Sequence, residues 1–204
     1  MIDKVYNVNE SFKNIEILVK VTNIEICKSD TSDIKIVTTK REGSNYSVLV
    51  DEDTLKIRDC RKKWYMYLLP CFKSQKISIN VPRDMLENIK IKTVTGKIKI
   101  TDILCDLIEV QNVTGKIELE KVVAKNKINI KNNTGRVYFN EVDSNDICIK
   151  SNTGSVRGIL LSEKAFIVKS KTGKINIPNS FGTSRCQIIS NTGNINFEIK
   201  DKNQ

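Results

Sequence analysis

The stretch 94-VTGKIKI-100 decides the fold. Thr-Gly stands between two short runs in which apolar and polar residues alternate, and it returns at 114–115, 134–135, 153–154, 172–173 and 192–193. From glycine to glycine the spacing is 19, 20, 19, 19 and 20 residues. Self-similarity at a fixed period over half a chain marks a repeat architecture. Two positions after the glycine come Ile98, Ile117, Val137, Val156, Ile175 and Ile195; four after it come Ile100, Leu119, Phe139, Gly158, Ile177 and Phe197. Six before the threonine stand Ile89, Ile108, Ile128, Ile147, Phe166 and Cys186, and four before it Ile91, Val110, Ile130, Ile149, Val168 and Ile188. Each repeat therefore holds two strands of period 2, one on each side of Thr-Gly.

A strand pair of this size cannot bury its own apolar face, but a stack of equivalent strands can. Each inward position then becomes a column of like side chains, and successive coils pair in parallel about 4.8 Å apart. The pattern predicts an all-β, single-stranded β-helix or β-solenoid with 19–20 residues per coil. Glycine supplies the positive φ of the sharp corner between the two strands. Threonine ends the incoming strand with a stiff β-branched side chain. Asn133, Asn152 and Asn191, each just before the threonine, are expected to stack as a polar ladder. Gly158 falls at an inward position among bulky neighbours, which predicts a pinch or bulge there. Cys186 reads as a small core residue and Cys148 as outward-facing.

Residues 1–88 keep the strand grammar without the repeat. Segments 15-IEILVKV-21, 24-IEI-26 and 34-IKIV-37 alternate, 46-YSVLV-50 and 54-TLKIR-58 flank an acidic turn as a hairpin, and 76-KISINV-81 is a strand ended by Pro82. We read 1–88 as irregular β coils that cap the regular solenoid of 89–204 within one continuous structural domain. The last coil, 193-GNINFEI-199, is expected to be an open edge, with Phe197 and Ile199 available for end-to-end contact.

The order 54-TLKI-57, a basic-aromatic stretch 61-RKKWYMYLLPCF-72, 76-KISINVP-82 and then TGKI-type repeats resembles bacterial proteins of the putative-adhesin family DUF4097, which are of unknown function and built on β-strand repeats. The resemblance covers most of the chain. It implies a β-helical solenoid without an established enzymatic activity. It also implies a link to the cell envelope, since some members are tied to envelope stress or sit beside membrane proteins.

Composition excludes several chemistries. The 204 residues contain no histidine, which removes the usual general base and the Ser-His-Asp arrangement. The six cysteines are scattered with no C-x-x-C pair, so neither a zinc site nor a disulfide framework is expected. No phosphate-binding glycine loop is present, and no cofactor is expected. Asp102, Asp106, Asp143 and Asp146 lie in or near turns, where turn chemistry accounts for them more simply than a sugar-cleaving carboxylate pair. The longest apolar run, 64-WYMYLL-69, is too short to span a bilayer, and no signal-peptide pattern opens the chain, which reads as cytoplasmic, with the inner membrane face as a place of action.

The net charge of +10 permits an anionic partner. Immediately after the glycines come Lys97, Lys116, Arg136, Ser155, Lys174 and Asn194; three before the threonines come Lys92, Gln111, Lys131, Lys150, Lys169 and Ile189. Stacking would draw these into two basic stripes flanking the Thr-Gly edge. Lys92, Lys97, Lys116, Lys131, Arg136, Lys150, Lys169 and Lys174 are thus candidates for an anion-binding ladder, against the alternative of a merely solvated face. Tyr138 is the one aromatic among them, so single-stranded nucleic acid, which needs stacking platforms, is disfavoured. Arg61, Lys62, Lys63, Trp64, Tyr65 and Tyr67 have the composition of an interfacial membrane or partner segment, against the favoured alternative of a cover for the end of the core. Three functions follow: a non-enzymatic scaffold acting through its face or ends, a binder of an anionic polymer or membrane surface, and, least favoured, a carbohydrate-active β-helix enzyme.

Overall fold

A computed structural model of the chain describes residues 2–7, 11–31, 34–40, 46–60, 75–82 and 86–200. Every regular element among the described residues is a strand. The first part contributes β1 (Ile2–Asn7), β2 (Asn14–Leu18), β3 (Thr22–Lys28), β4 (Lys35–Lys40), β5 (Tyr46–Asp51), β6 (Thr54–Asp59) and β7 (Gln75–Val81). The repeats contribute β8 (Asn88–Thr95), β9 (Ile98–Thr101), β10 (Leu104–Thr114), β11 (Ile117–Glu120), β12 (Val123–Thr134) and the long β13 (Val137–Thr153). They continue with β14 (Val156–Leu160), β15 (Lys164–Thr172), β16 (Ile175–Asn176), β17 (Ser184–Thr192) and β18 (Ile195–Ile199).

The strands form two faces of a mixed, solenoid-like sheet. The leading face holds the strands that run into the corner, in the order β6, β2, β8, β10, β12, the second half of β13, β17 and β15, all parallel. The trailing face holds the strands that leave it, in the order β7, β3, β9, β11, the first half of β13, β14, β18 and β16. Antiparallel strands close one end: β5 on β6, as the hairpin reading predicts, and β4 on β7 with β1 beyond it. There Tyr46 is buried, and its hydroxyl lies 2.7 Å from Thr22 Oγ1 and 2.5 Å from Gln75 Oε1.

The inward columns stack as the period requires. Ile98, Ile117 and Val137 lie in register, as do Ile108, Ile128 and Ile147, and all six are buried. The Thr-Gly glycines have φ of +131° to +158°. The stack imposes a second demand on them: a Cβ on Gly135 would lie 2.0 Å from the carbonyl oxygen of Gly115, and one on Gly115 equally close to that of Gly96. The opposite corner is built differently, with Asp102, Lys121 and Glu141 at φ of 52°, 52° and 56°.

The coil order departs from the sequential stack. β13 and β14 pair not with β15 and β16, which follow them in the chain, but with β17 and β18; β15 and β16 lie outside these. The last coil is thus slotted between its two predecessors. At the other end β2 and β3 are likewise held between β6–β7 and β8–β9. A sequence signal for the first exchange is Pro178, directly after Ile177: a residue that cannot donate to a ladder confines its coil to an edge. Gly158 is the second. It sits between Phe139 and Phe197, whose rings meet edge to face at 6.1 Å, and the register shifts between Phe139 and Val142, where a bulge is expected.

Phe197 therefore does not stand at an open end. It is 1% exposed, packed between Phe139 and Phe166, and Ile199 is half-buried beside Leu160. The end-contact role falls away for Phe197 because the outer coil covers it. The open end belongs to β15 and β16, where Ile167 and Ile175 are each 45% exposed and Phe181 86%.

Candidate functional site

The row three places before each threonine forms on the leading face. Register places Lys92 beside Gln111, Gln111 beside Lys131, Lys131 beside Lys150, then Ile189, then Lys169. These side chains point outward because the positions on either side, such as Ile130 and Asn132, point into the core. Next to this row stand Val94, Val113, Asn133, Asn152 and Asn191, one place before the threonine. Asn191 donates its amide to Asn152 Oδ1 at 2.6 Å, so part of the expected asparagine ladder is present. Between the two rows runs a shallow groove of about 570 Å³, bordered by Lys92, Lys131 and Lys150 on one side and Asn133, Asn152 and Asn191 on the other.

Beneath the groove lies a second polar row that the sequence reading missed. Thr93, Asn112, Asn132, Ser151 and Ser190 occupy inward positions and are buried. Asn112 and Asn132 each donate to the corner glycine carbonyl of the preceding coil, Gly96 and Gly115, at 3.3 Å. They tie coil to coil at the tightest point of the backbone. Their signal was a polar residue in the inward phase of the alternation, two places before every threonine.

The row after the glycines behaves differently. Lys97 and Lys116 both pair with Glu118 on the trailing face, and Lys99 reaches Glu120 at 3.3 Å. Burial alone raises the Glu118 carboxyl; hydrogen bonds from Lys116 and Lys97 outweigh it and hold the group below the usual carboxylate range. Two of the four cations of the second stripe thus share one carboxylate. Among the described residues, Lys92, Lys131, Lys150, Lys169, Arg136 and Lys174 have no carboxylate within ion-pair distance. The segment Arg61, Lys62, Lys63, Trp64, Tyr65 and Tyr67 lies outside the described residues.

Of the four aspartates expected in or near turns only Asp102 stands at a corner, Asp106 lying within β10 and Asp143 and Asp146 within β13, and each is engaged by a cation. Asp102 faces Lys28, Asp106 faces Lys125, Asp143 faces Lys164 and Asp146 faces Arg185. No group of three His, Cys, Asp or Glu side chains among the described residues is arranged to hold a metal. Burial pushes the thiols of Cys105 and Cys186 up to about 12, which fits core residues and not nucleophiles. No helix among the described residues is long and apolar enough to cross a membrane.

Among solved structures, the chain is similar to a "putative cell adhesion protein" from Clostridium sporogenes, with 16% identity, 97% of this chain and 99% of that chain covered, and a TM-score of 0.53. It also matches a "putative adhesin" from Bacteroides fragilis at 18% identity over 98% of this chain and 96% of that one, with a TM-score of 0.41. The first of these likenesses supports the fold and nothing more specific. No curated protein sequence matches the chain. The model of the Toastrack family, DUF4097, matches residues 12–204, a span that takes in the corner glycines and both basic rows. The chain belongs to the Toastrack (DUF4097) family.

Proposed function

We propose that this chain is a non-enzymatic interaction module, one continuous unit from the cap of 1–88 through the repeats of 89–204, and that its working surface is the leading face beside the Thr-Gly edge. The partner is an extended anionic polymer laid along the groove. The observation that carries this reading is the contrast between the two basic rows: Lys97 and Lys116 have Glu118, whereas Lys92, Lys131 and Lys150 face the groove without a carboxylate. Lys131 and Lys150 lie on neighbouring strands, about 4.8 Å apart, and repel one another, while Lys92 stands one strand further out beyond Gln111. A regularly charged polyanion relieves that repulsion and releases its own counterions on binding. Asn133, Asn152 and Asn191 add donors and acceptors along the same line.

The test is titration of dextran sulfate, and separately of anionic and neutral liposomes, against the parent and the double variant Lys131→Gln/Lys150→Gln. The expected result is polymer binding that weakens steeply with salt and falls at least tenfold in the variant. Salt-independent binding, or none at low salt, rejects the reading; binding to anionic vesicles alone moves the partner to a membrane surface.

The open coil supports a second reading, contact with another chain through the end formed by β15 and β16. Ile167, Ile175 and Phe181 are exposed there, on an edge where the described residues place a single bridge, Phe181 to Ala165 at the start of β15. Phe181→Ser then shifts any dimer seen by sedimentation toward monomer. A parent that stays monomeric at every concentration excludes self-association as that contact.

A further inference from the structure

A separate site lies on the trailing face, where the charge pattern breaks. Along one outward column the spatial order is Glu25, Lys99, Glu118, Tyr138, Arg157 and Asn196. As far as Glu118 the face neutralises itself: Lys76 meets Glu25 at 2.5 Å, and Lys97 and Lys116 share Glu118. In the next coil Arg136 takes the place of Lys116, but the carboxylate position beside it is Tyr138. In the coil after that the position is a second cation, Arg157. Among the described residues neither arginine has an ion-pair partner, while Lys116, whose ammonium lies 5.9 Å from the centre of the Tyr138 ring, already shares its one carboxylate.

These residues border one open cavity of about 230 Å³, lined by Lys116, Arg136, Val137, Tyr138, Ser155 and Arg157. Two arginines without an ion-pair partner, a hydroxyl and an aromatic wall, flanked by a lysine already held by Glu118, form a receptor for a compact anion. We propose that this cavity binds a phosphate monoester: Arg136 and Arg157 grip its oxygens, the Ser155 hydroxyl donates a further hydrogen bond, and the carrier group lies against Tyr138. Each guanidinium presents a planar fork that matches an oxyanion through two parallel hydrogen bonds. One carboxylate is satisfied by one fork. A phosphate monoester, with three terminal oxygens and close to two charges near neutral pH, can use both. No residue lines both this cavity and the groove on the leading face, and the inference does not rest on that groove.

The probes are inorganic phosphate, glucose 6-phosphate, and phosphatidylcholine vesicles with or without phosphatidic acid. Each is titrated calorimetrically or by co-sedimentation against the parent, Arg136→Gln/Arg157→Gln, Arg157→Lys, and the leading-face control Lys131→Gln/Lys150→Gln. Thermal melts confirm that every variant is folded. The expected result is saturable binding of the phosphorylated probe, weakened at least tenfold in the double arginine variant and several-fold in Arg157→Lys, which keeps the charge but loses the fork. The leading-face control binds as the parent does. Binding of glucose 6-phosphate identifies a soluble ligand, and binding of phosphatidic acid vesicles alone identifies a lipid head group; both support the site. Absence of saturable binding to all three probes overturns the proposal. So does equal loss in the leading-face control, or an unchanged affinity in the double arginine variant.

Discussion

Two kinds of corner set opposite demands on single residues. Gly135 combines a φ of +131° with a neighbouring carbonyl oxygen 2.0 Å from where a Cβ would stand. Gly135→Ala should therefore cost about 3 kcal/mol, since strain and overpacking add. Lys121, at φ of 52°, carries a side chain in the left-handed region without such a neighbour being needed to explain it. Lys121→Gly relieves a cost of about 1 kcal/mol and should leave the protein as stable or slightly more so. Urea denaturation of both variants checks the pair; equal destabilisation would mean that conformation alone does not govern these corners. Thiol chemistry offers a second check at this scale. With Cys60 exposed and Cys105 and Cys186 buried at about 12, alkylation of native protein at pH 8 should label Cys60 and spare the other two until denaturant is added. Modification of Cys186 in native protein would contradict its place in the core.

At the scale of elements, the inserted coil is held by charge as well as by packing. Arg185 on β17 makes a two-point contact to Asp146 on β13, at 2.9 and 3.1 Å, and Lys127 on β12 reaches the same carboxylate at 3.0 Å. Lys164, 1% exposed in the outermost coil, reaches past β17 to Asp143 on β13 at 2.5 Å, and its ammonium also lies 2.6 Å from Ser162 Oγ. The Arg185 hydrogen bond is the main reason that the Asp146 carboxyl lies below its ordinary value of 3.8. A lowered folded-state pKa contributes stability that is fully present above about pH 4 and disappears as the pH falls through the folded value. Asp146→Asn should then lose about 1 kcal/mol at pH 7, a small figure because Arg185 is half exposed and solvent screens the pair. Once the pH has fallen below the folded value the variant and parent should unfold together. A difference that persists there would assign the loss to packing and not to charge. These contacts were not legible in the sequence, because Asp146 and Arg185 are 39 positions apart and meet only through the exchanged coil order.

The whole molecule is asymmetric along its axis. One end is closed by antiparallel strands and Tyr46; the other exposes the edge of β15 and β16. Position in the chain and position in the stack therefore disagree, and backbone protection should follow the stack. Hydrogen exchange is expected to be slower for amides of β17, paired on both sides, than for those of β15 from Phe166 onward, paired on one. Equal or greater protection of β15 would mean that its edge is covered or that the coil order is different. The same asymmetry leaves two polar surfaces on opposite sides of the Thr-Gly edge: a long unneutralised row on the leading face and a compact arginine-tyrosine cavity on the trailing face.

What the sequence by itself determined was everything local and periodic. The alternation assigned inward and outward side chains, the glycines marked the corner, and the spacing aligned Lys92, Gln111, Lys131 and Lys150 into one row. Period and backbone sign are properties of a few adjacent residues, so they survive without knowledge of the partner strand. Tertiary structure alone decided which coil lies beside which. That choice depends on competition among strands of nearly equal pattern: the coil with Pro178 lies outermost, and Phe197 fills the space beside Gly158. It moved the open end from Phe197 to Ile167, Ile175 and Phe181. Charge on the faces was decided partly the same way: Glu118 serves Lys116 of its own coil and Lys97 of the coil before, whereas Tyr138 and Arg157 leave Arg136 without a carboxylate.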